Sequence, residues 1–244
     1  MDTQEIFGVR AIIECIEANQ NLEKVFLLKD QRSPLFKQLE NLLRDKKVAH
    51  SYVPIERLDR FSNKNHQGAV ATISPIKFLS IDDLSEILEK KKDSASILIL
   101  DQISDVRNFG AIVRTAECTA VDCIIVQSNG SAPVNGDTIK TSSGAVFNVP
   151  ICKVGHIKDA IFLLKQFEVP IYGASEKAEK TIYQTNFKKS QATVMGSEGK
   201  GLSTSVINLC DQLIKIPLLG KIESLNVSVA CGTILYEIVR QKNH

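Results

Sequence analysis

The sequence contains no tryptophan, and only 6% of its residues are aromatic. A broad platform on which nucleic-acid bases could stack is therefore not expected. The excess of positive charge is also small, since 30 lysine and arginine residues against 28 aspartate and glutamate residues give a net charge of +2. An excess of this size does not by itself indicate a nucleic-acid partner, so an RNA-binding surface would have to come from local clusters of cations.

Signals for membranes and metals are missing as well. No apolar run approaches the roughly 20 residues of a membrane span, and the polar, acidic start of the chain does not resemble a signal peptide. The cysteines form no Cys-x-x-Cys pair, and no histidine stands at a zinc-like spacing from them. We therefore expect a soluble, cytoplasmic protein with no metal site and no membrane partner, and with buried, reduced thiols. The cysteines are Cys15, Cys118, Cys123, Cys152, Cys210 and Cys231.

The apolar pattern predicts an α/β protein with two domains. Residues 1–75 alternate short strand-like and helix-like runs and predict a small α/β domain, and residues 76–94 are interpreted as a linker. Over residues 95–244, continuous apolar strands alternate with helices, which is typical of a parallel sheet covered on both faces. Strands are predicted at 97–100, 123–126, 169–172, 192–195 and 213–216, and helices at 111–120, 156–167, 202–209 and 227–241.

Three polar clusters that contain glycine follow strands of the second domain, where α/β folds bind ligands. In the first cluster, Asn108 and Gly110 are predicted to open a helix. Arg114, near the start of that helix, could then clamp a phosphate with its guanidinium. The structural alternative is that Asn108 caps the helix and Arg114 pairs with Glu117 on the surface.

The second cluster reads Gly196-Ser-Glu-Gly-Lys-Gly201. Its glycines let the backbone approach a ligand closely and leave N–H groups free to donate. The cluster matches neither the Walker A loop nor the Gly-x-Gly-x-x-Gly dinucleotide-binding pattern. Glu198 has little structural reason to stand in a glycine turn at the end of a strand, so we interpret it as a functional residue.

The third cluster, residues 216–228, joins a strand to the last helix through a loop with a proline and a glycine. Ser224 and Asn226 stand at the start of that helix. Capping by Ser224, worth about 1 kcal/mol, is the structural alternative. Capping alone does not account for the polar groups that are predicted to converge at this sheet edge, which are Asn108, Arg114, Glu198, Ser224 and Asn226.

In order and spacing, these clusters resemble the three motifs of the SpoU (TrmH-type) RNA 2′-O-ribose methyltransferases of the SPOUT class. The resemblance covers about residues 95–241 and depends most on Gly-Ser-Glu-Gly-x-Gly and Ser-Leu-Asn-Val-Ser-Val-Ala. The first 75 residues, which end in His66-Gln-Gly-Ala-Val-Ala, resemble the small L30e-like substrate-binding domain of many members. With that domain, the chain is most similar to the branch that methylates guanosine in bacterial 23S ribosomal RNA. One position departs from the family, because Val106 follows Asp105 where members usually have proline.

The resemblance implies a trefoil knot in the C-terminal domain, S-adenosylmethionine as the cofactor, and a homodimer that acts on RNA, with ribosomal RNA as the expected substrate. By motif position, backbone groups of Gly196, Ile216 and Leu225 would hold the adenine and ribose of the cofactor. The full predicted cofactor-binding set is Gly196, Gly199, Ile216, Leu218, Leu225 and Asn226. The predicted catalytic set is Asn108, Arg114, Glu198, Ser224 and Asn226.

In the reaction that the resemblance implies, a ribose 2′-hydroxyl attacks the methyl group on the cofactor's sulfur. We hypothesise that Arg114 clamps the phosphate beside the target ribose, because a guanidinium rarely gives up its proton. A phosphate oxygen or Glu198 would then accept the proton. The N-terminal domain is expected to recruit RNA, and the alternative is a folded spacer that helps the dimer to pack. The predicted RNA-binding residues are Arg10, Arg32, Lys64, His66 and Arg114.

Two other functions stay open at this point. The first is a transfer-RNA ribose methyltransferase, against which the N-terminal domain argues. The second is a non-catalytic RNA-binding module with a decayed site, which predicts the loss of Arg114, Glu198 or Asn226. All three of these residues are present.

Overall fold

The computed structural model of the protein describes residues 5–17, 20–31, 33–61 and 66–243. The chain divides into two compact units. One comprises Met1–Lys77 with Val134–Gly136, and the other comprises Phe78–Pro133 with Asp137–His244. In the described ranges, no helix combines the length and the apolar character that a membrane span requires.

The first unit is an α/β sandwich of helices on a mixed sheet. Its described strands pair in the order β1-β4-β2-β3, where β2 and β3 are parallel and the other pairs are antiparallel. The helix α1 buries Val9, Ile12, Ile13 and Ile16, as its helical periodicity predicts. The elements are β1 (Glu5–Phe7), α1 (Val9–Glu17), β2 (Leu22–Leu28), α2 (Pro34–Asp45), β3 (His50–Val53), α3 (Ile55–Asp59) and β4 (Ala69–Ile73).

The chain from Phe78 onward forms a parallel sheet with helices between its strands. The described strands lie in the order β7-β6-β5-β10-β8-β11-β9, and every pair is parallel. The elements are α4 (Ile81–Lys91), β5 (Ser96–Leu100), α5 (Val106–Cys118), β6 (Cys123–Gln127), α6 (Gly136–Thr141), β7 (Ile151–Val154), α7 (Ile157–Gln166), β8 (Ile171–Ala174), β9 (Lys180–Thr181), β10 (Gln191–Met195), α8 (Thr204–Ile207), β11 (Gln212–Lys215) and α9 (Val227–Lys242). The predicted α/β class and parallel sheet are confirmed, and the knot stays a prediction.

The centre of this sheet is the pair β5 and β10, in which every residue is buried. From β5 the chain continues to β6 on one side, whereas from β10 it continues to β11 on the other side. The loops that leave these two strands therefore diverge and open a crevice at the carboxyl edge of the sheet. The first and second polar clusters begin in these two loops.

The start of α5 differs from the prediction. The helix begins at Val106 rather than at residue 111, and the side chain of Asp105 caps it by accepting a hydrogen bond from Asn108 N at 2.8 Å. Asn108 therefore lies inside the first turn and does not cap the helix. Arg114 lies in the second half of α5 instead of near its start, because the helix opens five residues earlier than the apolar pattern indicates.

Three strands and one helix have no counterpart in the predicted elements: β1, β7, β9 and α6. The strands are short, between two and four residues, so their alternation is too brief to be distinguished from a loop. Their contribution is to widen the two sheets at the edges, since β1, β7 and β9 are all edge strands.

The cysteines are all free, and their burial varies more than predicted. Cys123, Cys152 and Cys231 are buried, Cys15 and Cys210 are half-buried, and Cys118 is exposed. Cys118 departs from the expectation because it lies on the outer face at the end of α5. Burial raises the pKa of Cys152 to about 12, of Cys231 to about 12 and of Cys210 to about 11.

We predict that Cys118 reacts first with a disulfide reagent such as DTNB at pH 8, and that Cys152 and Cys231 react only after unfolding. The thiolate is the reactive form, and a thiol with a pKa of about 11, as at Cys210, is ionised in roughly one molecule in a thousand at that pH. Peptide mapping by mass spectrometry after timed labelling checks the order. Rapid labelling of Cys231 in the native protein would contradict it.

Candidate functional site

A cavity of about 620 Å³ opens at the carboxyl ends of β8, β10 and β11. The loops that follow these strands form its walls, and the first turns of α9 close one side. A volume of this size suits a ligand of cofactor dimensions. All residues of the predicted cofactor-binding set line the cavity: Gly196, Gly199, Ile216, Leu218, Leu225 and Asn226.

The loop after β10 turns back on itself at Gly196. A Cβ atom at this position would collide with the backbone of Gly201 and with Leu202 N, so only glycine fits. Ser197 and Gly201 close the loop with two backbone hydrogen bonds, of 3.1 and 2.9 Å. The tight loop holds Glu198 at its tip and leaves the backbone around Gly196 accessible from the cavity.

Asn226 connects the three polar clusters through its side chain. Its Oδ1 caps α9 by accepting from Ser228 N at 3.0 Å and from Val229 N at 3.4 Å. Its Nδ2 donates to Asn108 Oδ1 at 3.0 Å and to Glu198 Oε1 at 2.7 Å. Residues that are 118 and 28 positions from Asn226 in the sequence are thereby brought to one point at the mouth of the cavity.

This network fixes which atoms remain available to a ligand. Because the N–H groups of α9 require an acceptor, the oxygen of Asn226 faces the helix and its NH₂ group faces Asn108 and Glu198. The Asn108 oxygen is used as an acceptor, so the NH₂ group of Asn108 is the end left for a ligand. Glu198 Oε2 has no hydrogen-bond partner within the described residues, so it remains free to accept a proton or a hydrogen bond.

Two residues that support this network are absent from the predicted site. The Ser228 hydroxyl donates to Asn226 Oδ1 at 2.6 Å and so helps to hold the amide in place. Asp101, which is 3% exposed, accepts from Ser203 N at 2.8 Å, and its own N–H donates to Met195 O. Asp101 thereby ties the loop after β5 to the loop after β10. The signal in the sequence was a carboxylate directly after an apolar strand.

The structural alternatives for the first and third clusters are not those that the structure adopts. Asp105 rather than Asn108 caps α5, and Asn226 rather than Ser224 caps α9. Arg114 is exposed and makes no ion pair with Glu117 or with any other residue among those described. Ser224 lines the cavity. Arg114 does not line this cavity and makes no hydrogen bond to Asn108, Asn226 or Glu198.

Among the predicted RNA-binding residues, His66 has a role inside its own unit. Its Nδ1 accepts from Gly68 N at 3.0 Å, so its Nε2 carries the proton and donates to Asp59 Oδ1 at 3.0 Å. Both ring nitrogens therefore have partners within the first unit, one at the end of α3 and one in the turn that leads to β4, and the contact of His66 with RNA stays a prediction. Arg10 is exposed on α1. Arg32 and Lys64 lie outside the described residues.

Charged side chains from the loop after β8 add to the wall of the cavity. Glu176 and Lys177 line it there, and Lys200 and Glu223 line it from the other two loops. The loop after β8 is absent from the predicted site, because it contains no glycine cluster. Its position follows from the sheet order, since β8 lies between β10 and β11 and its carboxyl end meets the same edge.

Comparison with known proteins identifies the family. A model of the SpoU rRNA Methylase family matches residues 95–236, which is more than half of the chain. The chain belongs to the SpoU rRNA methylase family. A second model, for the RNA 2′-O ribose methyltransferase substrate-binding domain, matches residues 6–79. The predicted membership of the SpoU (TrmH-type) RNA 2′-O-methyltransferases is thus confirmed.

Curated relatives match the SpoU-family chain over nearly its whole length. The 23S rRNA (guanosine-2′-O-)-methyltransferase RlmB of Haemophilus influenzae is 34% identical over 98% of each chain. The putative TrmH family tRNA/rRNA methyltransferase YacO of Bacillus subtilis is 30% identical over 98% of this chain and 96% of its own. The structure of the SpoU methyltransferase AviRb from Streptomyces viridochromogenes in complex with AdoMet shares the fold, with a TM-score of 0.63 at 22% identity over 98% of this chain and 90% of that one.

The capping role and the bridging role of Asn226 can be separated in this SpoU-family protein. Asn226→Asp keeps an oxygen that can cap α9, whereas Asn226→Ala also loses the cap, which is worth about 1 kcal/mol of the free energy of unfolding. Both variants lose the two donated hydrogen bonds, and in the Asp variant a second carboxylate faces Glu198. Turnover should therefore fall at least about tenfold in both, the loss expected for one hydrogen bond to a charged group.

Denaturant unfolding measures the stability of the two variants, and methyl transfer to RNA measures their turnover. Wild-type turnover by the Asn226→Asp variant would show that the bridge has no catalytic consequence.

Proposed function

We propose that this protein transfers a methyl group from S-adenosylmethionine to the ribose 2′-hydroxyl of a guanosine in 23S ribosomal RNA. The observation that carries the proposal is the Asn108–Asn226–Glu198 network at the mouth of the 620 Å³ cavity. The guanosine substrate is supported by the relative RlmB, which matches both units at 34% identity. A protein that modifies ribosomal RNA is expected to act in the cytoplasm.

The cavity fits S-adenosylmethionine in its chemistry. Ile216, Leu218 and Leu225 supply an apolar wall for an adenine ring, and the backbone at Gly196 can approach it because no Cβ intervenes. Glu176 and Lys177 offer charges of both signs to the amino and carboxylate groups of the methionine part. When bound, the cofactor supplies a methyl group carried on a positively charged sulfur. The sulfur is the leaving group when the methyl is transferred.

In the proposed reaction, Glu198 accepts the proton of the ribose 2′-hydroxyl. Its Oε1 is held by Asn226 and its Oε2 is free, so one oxygen is positioned while the other can act. General-base catalysis by a positioned carboxylate contributes roughly 10²–10⁴-fold to a rate. The free NH₂ group of Asn108 would donate to an oxygen of the target nucleotide and fix the ribose against Glu198.

Arg114 would clamp the phosphate beside the target ribose, and we propose that it does so in the site of a second subunit. It is exposed on α5, without a partner in the described part of the chain, and α5 packs against α9. On α9, Val229 and Tyr236 are 54% and 57% exposed and stand seven residues apart, so they share one face of the helix. A homodimer through this face would cover these apolar side chains and carry Arg114 across the two-fold axis.

The N-terminal unit would recruit the RNA. Among the cations predicted to bind RNA in this unit, Arg10 lies within the described residues. It is exposed on α1, where it can contact a phosphate. Arg32 and Lys64 stay predictions. His66 would act indirectly, by holding the turn before β4 in shape.

The function is tested by transfer of labelled methyl from S-adenosylmethionine to purified, unmodified ribosomal RNA and, separately, to transfer RNA, followed by nucleoside analysis. We expect label in 2′-O-methylguanosine from ribosomal RNA. Label in transfer RNA alone would keep the reaction and overturn the substrate, and it would favour the second candidate, suggested by the tRNA/rRNA description of the relative YacO. Absence of label from both RNAs would contradict the proposed activity.

Mixing two inactive variants tests the shared site. Arg114→Ala and Glu198→Gln should each be inactive as homodimers, and Glu198→Gln keeps an oxygen that can accept from Asn226. If Arg114 acts across the two-fold axis, a mixed dimer contains one intact site and one doubly altered site. The co-expressed, doubly tagged heterodimer should therefore recover about half of the wild-type activity. An inactive heterodimer would place Arg114 in the site of its own chain.

A further inference from the structure

A second cavity, of about 490 Å³, lies at the carboxyl edge of the same sheet. It is bordered by the ends of β5 and β6 and by the first turns of α7 and α8, and none of its lining residues lines the 620 Å³ cavity. The polar clusters that identify the family do not contribute to it beyond Ser203 and Ser205, which follow the glycine loop. The proposed methyl transfer gives this second cavity no role.

Phe162 stands over the second cavity and has no part in the core. The helix α7 buries Ile157, Ala160, Ile161 and Leu164 against the sheet, whereas Phe162 faces outward and is 53% exposed. Lys158 precedes Phe162 by four residues and so lies on the same outer face, one turn away. An aromatic ring and a cation on one helix face form the pair that binds an unpaired nucleotide through stacking and charge.

Four polar side chains of this cavity have no partner within the described residues. Gln102, Gln127, His156 and Lys158 line it, and none of them makes a side-chain hydrogen bond or ion pair there. Glutamine amides both donate and accept, as the edge of a nucleobase requires.

The charges of this cavity favour a base over a bare phosphate. Asp101 and Asp159 line it alongside Lys158 and His156, so the lining is not uniformly positive. Asp101 Oδ2 is already used by Ser203 N, whereas Asp159 is exposed in the first turn of α7 and can accept from the amino and imino groups of a base. Two carboxylates would repel an isolated phosphate, but they suit a neutral base with donor groups.

We propose that the second cavity binds the base of an unpaired nucleotide of the RNA substrate, stacked on Phe162, close to the nucleotide that is methylated. The loop after β10 separates the two cavities: Gly196–Gly201 lines one, and Ser203 of the same loop lines the other. A strand of RNA that crosses this loop would present one nucleotide to Glu198 and a neighbour to Phe162. The inference rests on the proposed function, since it requires RNA at the first site.

The test compares Phe162→Ala, Phe162→Tyr and the control Tyr183→Ala in the full-length enzyme. Tyr183 is 61% exposed and lines neither cavity. With unmodified 23S ribosomal RNA as the probe, Phe162→Ala should raise the Kd and the KM about tenfold, the loss expected for one base stacked on an aromatic ring. Phe162→Tyr keeps a ring and should bind like the wild type, as should Tyr183→Ala. The affinity for S-adenosylmethionine and the turnover at saturating RNA should not change.

A direct readout separates this inference from the proposed function. Ultraviolet irradiation of the wild-type enzyme with the same RNA should produce a nucleotide-linked peptide from residues 157–166. That peptide together with weaker RNA binding by Phe162→Ala supports the second cavity even if no methyl is transferred, which would overturn only the proposed reaction. Efficient methylation by Phe162→Ala with an unchanged KM, or no linked peptide from α7, would overturn the nucleotide site and leave the proposed reaction standing.

Discussion

The side chain of Asn226 is the contact on which the rest of the site depends. An asparagine amide has one acceptor end and one donor end, and the helix α9 requires the acceptor. The donor end then has to face Asn108 and Glu198, which lie 3.0 and 2.7 Å away. The folding of the last helix thus determines the orientation of two groups from other parts of the chain, so the site is set before any ligand binds.

The sheet makes this meeting possible. Because β5 and β10 are adjacent and fully buried, the loops that leave them start from fixed positions only one strand apart. Asp101 then ties the second loop to the first through Ser203 N. A buried carboxylate is stable only when it is hydrogen-bonded, so this tie is strong and local. Asp101 and Ser203 both line the second cavity, so the same tie also holds part of its wall.

The sequence was sufficient to predict the elements whose signal is continuous. The buried strands of the parallel sheet are runs of four or five apolar residues, and the long helices have a regular apolar period. It was not sufficient for β9, whose two residues are identified as a strand by their pairing with β11. It also did not indicate the two hydrogen-bond partners of the His66 imidazole, since Asp59 comes close to His66 only after the chain has folded.

Some residues of the site could likewise be predicted from the sequence, and others could not. Glycine spacing and a carboxylate in a turn are visible in the sequence, and they led to the residues that line the cavity. The sequence does not show where the Arg114 side chain lies relative to the site, because its position depends on where α5 begins. Asp105 and Asn108 both have side chains that can cap a helix, and only the folded backbone identifies Asp105 as the cap.

Val106 stands where family members usually have proline, and the effect of this difference on the start of α5 is limited. Val106 is the first residue of α5, the position at which proline is well tolerated because the N–H group has no partner within the helix. Replacing proline there removes a restraint on φ but no hydrogen bond of the native helix. The start of α5 is instead held by Asp105, which accepts from Asn108 N at 2.8 Å. Asn108 therefore keeps its place in the network whether valine or proline stands at position 106, because the cap from Asp105 holds this turn in both cases.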